Sequence, residues 1–503
     1  MIYAIDFETY YDKQVSITTL GIHQYLHHPD CSIYLVSVYS AEAGFSYVGK
    51  PDKLDWHQFH GHTFVAHNAR FDRACFERLR ELGIVPADVQ VEWQCTADLV
   101  SALGYGRSLK AAVESVFGVA VNKDTRADMC GKTWEDGSTP ILSPKCLKEE
   151  CAKAGIPAPI SLAQDSEDCA AWEEKYGESF PWVAAMRDYR KANTLKKKLE
   201  TLESRIKEDG SFAYSLKYIG AHTGRWSGDE GFNIQNMPRV PMFGVDLRKM
   251  IIPRPGHTFI ISDLSQIEQR VLSWLAGDND MMEELEKGIS VYEAHARATM
   301  GYSDPEPLKH KNPDLYRLAK ARVLGLGYGA GAAVFVRIAK TIAGLDISQQ
   351  QAQQIVSAFR SSNKHITQLW AKLEQAFAVN MGKSCFALPL PSGRKLYYRN
   401  LAMTPKGMSA EVQGKRFSFF GGKLTENLTS ATARDVLGEI LLNLDAAGYR
   451  VVMHIHDEVV VEVPTADVDN ALIDIHRIMT TAPEWLEGLP LAAETTTSTF
   501  YTK

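Results

Sequence analysis

The fold is decided by one short stretch, Met453-His454-Ile455-His456-Asp457-Glu458-Val459-Val460-Val461. Two runs rich in β-branched residues flank an Asp-Glu pair, which predicts a tight hairpin with both acids at its tip. Such turns prefer Asn-Gly or Asp-Gly, so ordinary turn chemistry does not explain the acids. They are therefore candidates for holding a metal ion, and a solvated acidic turn is the alternative.

A second acid follows a buried strand earlier in the chain. Residues 257–262 read as that strand and lead into Asp263, and apolar residues then recur at helical spacing over residues 265–276. A carboxylate where a strand passes into a helix is in the usual place for ligand binding in a sheet-based domain. Phosphoryl transfer with Mg²⁺ needs such carboxylates, because oxygen ligands hold two ions about 3.5–4 Å apart.

A third element offers a helical face that suits a nucleoside triphosphate. Lys320, Leu324 and Tyr328 recur every four residues, and Arg317 lies one turn before Lys320. The two cations suit the phosphates, and the apolar and aromatic side chains suit sugar and base. An amphipathic core helix with snorkelling cations is the alternative. The sequence has neither a complete P-loop nor a dinucleotide-binding glycine fingerprint.

These segments, in this order, resemble the family A DNA polymerases, and most closely their phage-encoded branch. Residues 263–270 resemble the family's first palm motif, residues 320–329 its fingers helix, and residues 456–458 its last palm motif. Upstream, residues 223–227 and 233–238 are similar to the segment that contacts the template and the minor groove. The resemblance covers about residues 140–503.

The resemblance implies how the catalytic centre is built. Asp263 and Asp457 would bind two Mg²⁺ ions, with the Leu264 carbonyl as a further ligand and Glu458 in support. Lys320 would neutralise the triphosphate and protonate the departing pyrophosphate. The implied reaction is in-line attack of a primer 3′-hydroxyl on the α-phosphate of a deoxynucleoside triphosphate.

The resemblance also implies which residues contact the substrates. Further nucleotide contacts would come from Gln266, Glu268, Arg317, Leu324 and Tyr328. Glu268 resembles the steric gate, a bulky side chain that crowds a ribose 2′-hydroxyl. Primer or template would be contacted by Arg225, Asn233, Gln235, Arg270 and His456.

Four positions depart from the family pattern. Tyr316 stands where the family often has an arginine, and Leu324 where it has an aromatic residue. Leu264 takes the place of a tyrosine, and Ser430 lies where a glutamine is usual. These departures bear on sugar discrimination, triphosphate affinity and minor-groove contact, and they leave the metal ligands intact.

The amino terminus carries a second set of acids. Asp6 and Glu8 share one face of a predicted strand, and Asp72 follows Asn68 on a helix predicted over residues 69–82. This pattern is similar to the first two motifs of the DEDD 3′–5′ exonucleases, which implies a second metal site. A fourth carboxylate has no convincing match, although Asp128 is the least poor substitute among Asp98, Asp124, Asp128, Asp165 and Asp168. We therefore expect a shortened exonuclease domain that is weak or inactive.

The expected fold class is α+β multidomain, with a ribonuclease-H-like α/β domain followed by a right-hand polymerase domain. The expected boundaries are 1–136 for the first domain and 140–503 for the second, with the thumb at 140–215, the palm at 216–285 and 388–503, and the fingers at 286–387. A hairpin predicted over residues 388–398 would return the chain to the palm.

Charge is distributed unevenly along the chain. The net charge is −6, yet residues 187–254 contain fourteen Lys and Arg against eight Asp and Glu. A local basic patch is sufficient for binding to DNA phosphates. This patch includes Tyr189-Arg190-Lys191 and Lys196-Lys197-Lys198 on a probable long helix of the thumb, and a solvated basic hairpin is the alternative.

Composition sets the expected surroundings. No apolar run approaches a membrane span and no signal sequence opens the chain, so we expect a cytoplasmic protein, in the host cytoplasm if it is phage-encoded. The eight cysteines form no Cys-x-x-Cys pair, which favours free thiols. The expected partners are primer-template DNA and deoxynucleoside triphosphates, and the expected state is a monomer without membrane contact.

Three other functions are compatible with parts of this pattern. A single-subunit RNA polymerase would have related motifs, but Glu268 and Glu458 favour deoxynucleotides. Intact Asp263, Lys320 and Asp457 argue against a nuclease whose polymerase half only holds DNA. A non-catalytic DNA-binding or replisome scaffold is a further alternative, which predicts that Asp457→Asn changes no reaction rate. Sequence alone does not show that Asp263 and Asp457 meet in space.

Overall fold

The computed structural model describes residues 1–12, 14–118, 148, 151–159 and 167–502, and strands and helices are numbered in chain order over this part. Asp124, Asp128 and Asp165, and the bridge expected between the two domains, lie outside the described residues. Within the described part, no helix has both the length and the apolar composition needed to cross a bilayer.

The amino-terminal region is built on a five-stranded mixed sheet with the order β3-β2-β1-β4-β5. Its strands are β1 (Ile2–Thr9), β2 (Ile33–Ser40), β3 (Phe45–Gly49), β4 (His62–Ala66) and β5 (Val91–Cys95). β1, β2 and β3 pair antiparallel, whereas β4 and β5 run parallel to β1. The helices here are α1 (Ile17–His27), α2 (Ala69–Glu81), α3 (Thr96–Ala102) and α4 (Leu109–Phe117). The α/β architecture expected for this region is thus observed.

A long helix leads from this region towards the second half of the chain. The described elements are α5 (Glu167–Tyr176), α6 (Pro181–Glu203), β6 (Leu216–Lys217) and β7 (Ser227–Gly228). Lys196 and Lys197 are exposed, and Lys198 donates to the Asn236 carbonyl at 3.3 Å. The side chains of residues 189–191 lie outside the described part of the structure.

A four-stranded antiparallel sheet forms the centre of the second half, with the order β13-β14-β8-β15. Its strands are β8 (His257–Leu264), β13 (Arg450–Ile455), β14 (Glu458–Pro464) and β15 (Ala493–Ser498). One face packs on helices α7 (Ile267–Ala276), α15 (Gly421–Ala446) and α16 (Val468–Thr480). The other face buries Phe259, Ile261 and Val460 against Leu195 and Phe232. Burial on both faces explains the continuous apolar run of β14.

Helices dominate the region between β8 and residue 384, as the sequence pattern of this region predicted. They are α8 (Asn279–Glu286), α9 (Val291–Thr299), α10 (Leu308–Lys311), α11 (Pro313–Leu326), α12 (Ala332–Ala343), α13 (Gln349–Ser362) and α14 (Lys364–Ala378). Asn312 caps α11 by accepting from the Leu315 amide, and Pro313 occupies its first turn. Because α11 ends at Leu326, Tyr328 lies in the following turn and not on the helix as the spacing predicted.

The hairpin predicted over residues 388–398 forms, and its strands belong to a sheet separate from that of β8 and β13–β15. β9 (Cys385–Pro389) and β10 (Lys395–Thr404) pair with β11 (Gly407–Val412) and β12 (Lys415–Ser418) in a separate sheet. This sheet packs on α14 and α15 around Phe377 and Tyr398, which supply a buried apolar surface of their own. Arg399 also donates to the Leu103 carbonyl at 2.6 Å, so the sheet contacts the amino-terminal region.

Candidate functional site

The motif hairpin is formed by β13 and β14. Ile455 pairs with Glu458, which leaves His456 and Asp457 as the two turn residues, and His456 has φ of +56°. The predicted hairpin is therefore observed, but its two acids separate. Asp457 lies in the turn and is partly exposed, whereas Glu458 begins β14 and is fully buried.

The two candidate metal ligands from distant parts of the chain meet at this turn. Strand β14 lies beside β8, and Glu458 pairs with Asp263. The Leu264 amide donates to the Asp457 carbonyl at 3.1 Å, so the main chains at the two aspartates are joined directly. Asp263 is partly exposed, as is Asp457. Both acids therefore lie at one end of the sheet, within reach of solvent.

Two further groups at this end of the sheet were not found from the sequence. The Glu458 Oε1 atom accepts a hydrogen bond of 2.8 Å from the Tyr501 hydroxyl. Burial, together with the Glu458 charge, raises the pKa of Tyr501. On the other side of β8, Glu494 of β15 pairs with Asp263 and is exposed. Glu494 lies in a threonine-rich strand without a motif, so only the sheet register reveals it.

The donor set at the two aspartates fits a magnesium site that is completed by substrate. Within the described residues, no three His, Cys, Asp or Glu side chains are grouped so that they could hold a metal ion. Mg²⁺ is usually bound by one or two carboxylates, and water and substrate phosphates complete its shell. Asp263 on β8 and Asp457 in the turn before the neighbouring strand β14 supply carboxylates of this kind.

Helix α11 carries the two predicted cations. Lys320 is partly exposed, and Arg317 is exposed and forms an ion pair with Asp314. Tyr316 packs edge to face on Tyr292, with the ring centroids 5.6 Å apart. Burial raises the pKa of Tyr316, with a smaller contribution from the charge of Glu494. Tyr316 of α11 therefore lies near β15, the edge strand that carries Glu494.

The predicted steric gate lies among its predicted neighbours. Glu268 forms an ion pair of 2.7 Å with Arg225, and each side chain is about 30% exposed. Burial raises the pKa of Tyr328, and the nearby charge of Glu268 adds to that effect. Leu324 packs at the edge of the apolar cluster between the sheet of β8 and β13–β15 and helices α7, α15 and α16. The structure thus brings together one residue from each of three separate motifs.

Two predicted contact residues have other partners in the structure. Arg270 is 4% exposed and donates to the carbonyls of Ser265 (2.8 Å) and Pro490 (2.7 Å). The prediction that Arg270 contacts DNA is therefore wrong for this structure, because α7 turns that side chain into the protein. Gln266 has φ of +55°, and its Oε1 atom accepts from the Val291 amide at 2.8 Å. Gln266 thus joins the start of α7 to α9 and does not offer that oxygen to a nucleotide.

The remaining predicted DNA contacts lie in partly exposed turns. Asn233 accepts from the Gln235 amide at 3.0 Å and caps a short turn, and both side chains are partly exposed. His456 is exposed at the tip of the hairpin. These positions leave the side chains of Asn233, Gln235 and His456 accessible to a nucleic acid.

The loop of residues 223–227 is held by two arginines that the sequence does not distinguish from surface cations. Arg394 donates to the Thr223 carbonyl at 2.7 Å, and Arg434 donates to the Gly224 carbonyl at 2.9 Å. Burial lowers the pKa of Arg394, with Asp435 opposing that effect.

Comparison with known proteins gives the family to which these motifs belong. The family model described as DNA polymerase family A matches residues 166–503, more than half of the chain. The chain belongs to DNA polymerase family A.

Relatives within family A come from a phage and from bacteria. The chain is 30% identical to the DNA polymerase of Bacillus phage SP02, over 62% of this chain and 56% of that protein. It is 31% identical to DNA polymerase I of Aquifex aeolicus, over 43% of this chain and 36% of that protein. The chain thus spans about half or less of the length of these relatives.

A solved structure shows the same fold as this family A chain. It is the POL domain of Pol1 from M. smegmatis, in complex with DNA primer-template and dNTP. The TM-score is 0.68 at 16% identity, over 99% of this chain and 95% of that chain. The expected α+β multidomain class with a right-hand polymerase fold is confirmed.

The amino-terminal acids lie outside the segment that matches the family A model. Asp6 and Glu8 project from the exposed face of β1, and Asp72 is 2% exposed and accepts from the Phe7 amide at 3.1 Å. Burial, followed by the charge of Asp6, raises the pKa of Asp72 to about 7. Asp98, one of the acids considered as a fourth ligand, forms an ion pair with Arg107 and is partly exposed. The side chain of Asp168 lies outside the described residues.

Proposed function

We propose that this chain is a DNA polymerase that adds deoxynucleotides to a primer 3′ end under the direction of a template. One observation carries the proposal: the hydrogen bond from Leu264 to Asp457 joins the two strand ends that present Asp263 and Asp457. Membership of family A supplies the expected chemistry, and the M. smegmatis complex with primer-template and dNTP supports the same substrate classes.

The proposed reaction assigns a task to each residue at the end of the palm sheet. Asp263, Asp457 and the Leu264 carbonyl would hold divalent metal ions, which we propose are two Mg²⁺ ions. When bound, the ions activate the attacking hydroxyl and neutralise the developing charge. Glu458, anchored by Tyr501, keeps the turn at Asp457 in place.

Bond changes follow the usual course of phosphoryl transfer. The primer 3′-hydroxyl gives up its proton to water, and its oxygen forms a bond to the α-phosphorus while the bond between the α-phosphorus and the bridging oxygen breaks, so that pyrophosphate leaves. Lys320 would neutralise the triphosphate and donate a proton to the leaving group, with Arg317 assisting once it leaves Asp314. Charge neutralisation and positioning provide most of the rate enhancement.

Sugar and DNA recognition are assigned to exposed and partly exposed residues of these motifs. Glu268 would crowd a ribose 2′-hydroxyl, and Leu324 and Tyr328 would contact the sugar and the base. Arg225, Asn233, Gln235 and His456 would contact primer or template. If the wild-type enzyme extended primers equally well with ribonucleotides, the role of Glu268 would be wrong.

Single-turnover primer extension tests the proposal with Asp457→Asn. The substitution removes one negative charge from the metal site and leaves the main-chain bond to Leu264 in place, so we expect extension to slow by at least about 100-fold. Asp467→Asn, an exposed acid elsewhere on the palm, is the matched control and should match wild type. Equal rates for wild type and Asp457→Asn would instead support a non-catalytic scaffold.

A second activity is proposed for the amino-terminal acids. The observation that favours it is the shared electrostatic environment of Asp6, Glu8 and Asp72. We propose a 3′–5′ exonuclease site with these three ligands and Asp128 as a substitute fourth, which is weak or inactive. Degradation of a mismatched primer that disappears in Asp6→Ala would refute the inactive form. Degradation without any primer extension would support a nuclease whose polymerase half only holds DNA.

We also propose that the chain works as a monomer in the cytoplasm, which is the host cytoplasm if the chain is phage-encoded. DNA replication is the proposed process.

A further inference from the structure

We propose that Arg434 is a positioning residue for sugar selection, acting through the loop that carries Arg225. The inference rests on the proposed polymerase function and on the role of Glu268 within it. Arg434 lies on α15, a helix for which the family resemblance implied no sugar-selecting residue.

Arg434 contacts both chain neighbours of Arg225. Its side chain is 9% exposed, and its Nε donates to the Gly224 carbonyl at 2.9 Å. Its guanidinium lies 4.2 Å from the centre of the Trp226 ring and 5.0 Å from that of Tyr218. The residue between Gly224 and Trp226 is therefore held from both sides by one buried cation.

A hydrogen-bonded frame fixes Arg434 in turn. The Asp435 carboxylate accepts from Arg434 (3.2 Å), from Arg394 Nε (3.0 Å) and from the Ser392 hydroxyl (2.5 Å). Arg394 then donates to the Thr223 carbonyl at 2.7 Å. Two arginines on one carboxylate, Arg434 buried and Arg394 partly exposed, thus hold two successive carbonyls of the loop. Hydrogen-bonded networks of this kind restrain the groups that they join.

Gly224 allows the loop to approach this frame. Its φ is +93°, a value that other residues adopt only with strain, and an added Cβ would lie 2.8 Å from Arg394 Nη1. The loop therefore lies against the arginines with no room for a side chain at this position.

Restraint of the loop matters because Arg225 is held otherwise by an ion pair with Glu268, and both side chains of that pair are partly exposed to solvent. The 2.7 Å pair with Glu268 is about 30% exposed on each side, and such pairs contribute little when both side chains must be ordered. A loop already fixed at Gly224 and Trp226 removes part of that entropic cost. Arg434 therefore keeps Arg225 beside Glu268 and keeps Glu268 in one position.

Trp226 also connects the loop to the catalytic hairpin. Its ring packs edge to face on His454, with the centroids 4.8 Å apart. His454 belongs to β13, which leads into the turn at Asp457. The same stack thus relates the position of Arg225 to the strand that presents the proposed metal ligand.

The test compares insertion of a deoxynucleotide with insertion of the matching ribonucleotide. Arg434→Met keeps the apolar stem and removes the charge and the bond to Gly224. We expect its preference for the deoxynucleotide, measured as the ratio of kcat/KM values, to fall by about tenfold. Arg434→Lys keeps the charge and should restore part of the preference, which loss of packing alone would not explain.

Two further variants separate positioning from a general structural effect. Arg225→Met alone and the double variant Arg225→Met with Arg434→Met should show the same preference, because Arg434 acts through Arg225. Arg297→Met is the matched control, since Arg297 also lies over a tyrosine and pairs with an acid, but its partners Glu293, Asp304 and Tyr302 are outside the loop. Its preference should equal that of wild type.

The outcomes distinguish this inference from the proposed function. A wild type that extends no primer overturns the polymerase proposal and this inference with it. If wild type selects deoxynucleotides, two results would overturn this inference alone. One is a folded Arg434→Met whose preference is unchanged. The other is an effect of Arg434→Met that adds to the effect of Arg225→Met. If Arg434→Met does not fold, Trp226→Leu removes the ring beneath the guanidinium and should lower the preference, and an unchanged preference there is equally decisive.

Discussion

The Leu264 amide donates a hydrogen bond of 3.1 Å to the Asp457 carbonyl. The bond links the end of β8 to the turn between β13 and β14, and it runs between main chains. The carboxylates of Asp263 and Asp457 can therefore be altered without removing the contact that brings them together. This separation of structure from charge makes the site suitable for substitution experiments.

Lys320→Ala should weaken the use of nucleoside triphosphates. Lys320 lies on the partly exposed face of α11, and a charge-assisted contact to a phosphate contributes about 1.5–3 kcal/mol. We expect KM for the deoxynucleotide to rise by roughly 10- to 100-fold in steady-state extension. Lys309→Ala is the control, because Lys309 is exposed on α10, and it should be unaffected. An unchanged KM in Lys320→Ala would remove this residue from the triphosphate site.

Tyr501→Phe should destabilise the palm. The Tyr501 hydroxyl donates to the fully buried Glu458 carboxylate at 2.8 Å, and a buried acceptor that loses a donor costs about 1–3 kcal/mol. The midpoint of denaturant unfolding, followed by circular dichroism, should fall accordingly. Tyr39→Phe, at a 58% exposed site, should leave the midpoint unchanged. Equal midpoints for Tyr501→Phe and wild type would show that this bond adds no stability.

Asp72 should make the amino-terminal region less stable as pH rises. Burial holds the pKa of Asp72 at about 7 in the folded chain against 3.8 ordinarily, so the folded state keeps a proton that the unfolded state releases between these values. The free energy of unfolding therefore falls by up to about 4 kcal/mol between about pH 4 and pH 7 and stays at the lower value above pH 7.

Asp72→Asn tests this dependence. The amide can still accept from the Phe7 main chain and has no charge to bury, so thermal unfolding of the variant at pH 8 should occur at a higher temperature than in wild type. The difference between the two proteins should vanish near pH 4. Asp52→Asn, at an exposed site, should follow the wild-type curve. A difference that does not change with pH would contradict the assignment to Asp72.

Glu230→Gln should loosen the junction between the two halves of the chain. The buried Glu230 carboxylate lies 2.7 Å from Arg70 and 3.7 Å from Arg205, and it accepts from the Ile22 amide at 3.0 Å. Removing the charge takes this carboxylate partner from the buried guanidinium of Arg205, and breaking a buried pair of this kind costs about 3–5 kcal/mol. We expect calorimetry to show two separated transitions, or faster proteolysis between the halves. Glu203→Gln, exposed on α6, should behave as wild type, and a single unshifted transition in Glu230→Gln would contradict the prediction.

Local pattern was sufficient for most individual elements. The helix predicted over residues 265–276 is observed as Ile267–Ala276, and the strand at residues 257–262 as His257–Leu264. These agree because amphipathic period and end signals act within a few residues of chain. The prediction that Tyr328 lies on α11 was wrong for the same reason, because it also rested on local spacing. Its spacing continues the helical period, but α11 ends at Leu326, where Gly327 follows.

Contacts between distant segments were not accessible to this reasoning. Arg270 carries the same charge whether it faces DNA or the Pro490 carbonyl, and only the packing of α7 decides between them. The position of Glu494 depends on sheet register, and that of Arg434 depends on helix packing. Neither of these has a local sequence motif. The sheet of β9 to β12 likewise packs on α14 and α15 through a separate apolar cluster, which the sequence pattern did not indicate.

The sequence by itself determined the kinds of chemical group available, the local elements that carry them, and the family resemblance of their order along the chain. Only the tertiary structure decided that Asp263 and Asp457 lie at one end of the same sheet, that Glu494 pairs with Asp263 there, and that Arg225 lies beside Glu268. The reason is that side-chain periodicity is a property of neighbouring residues, whereas strand pairing and burial depend on the free energy of the whole packed chain.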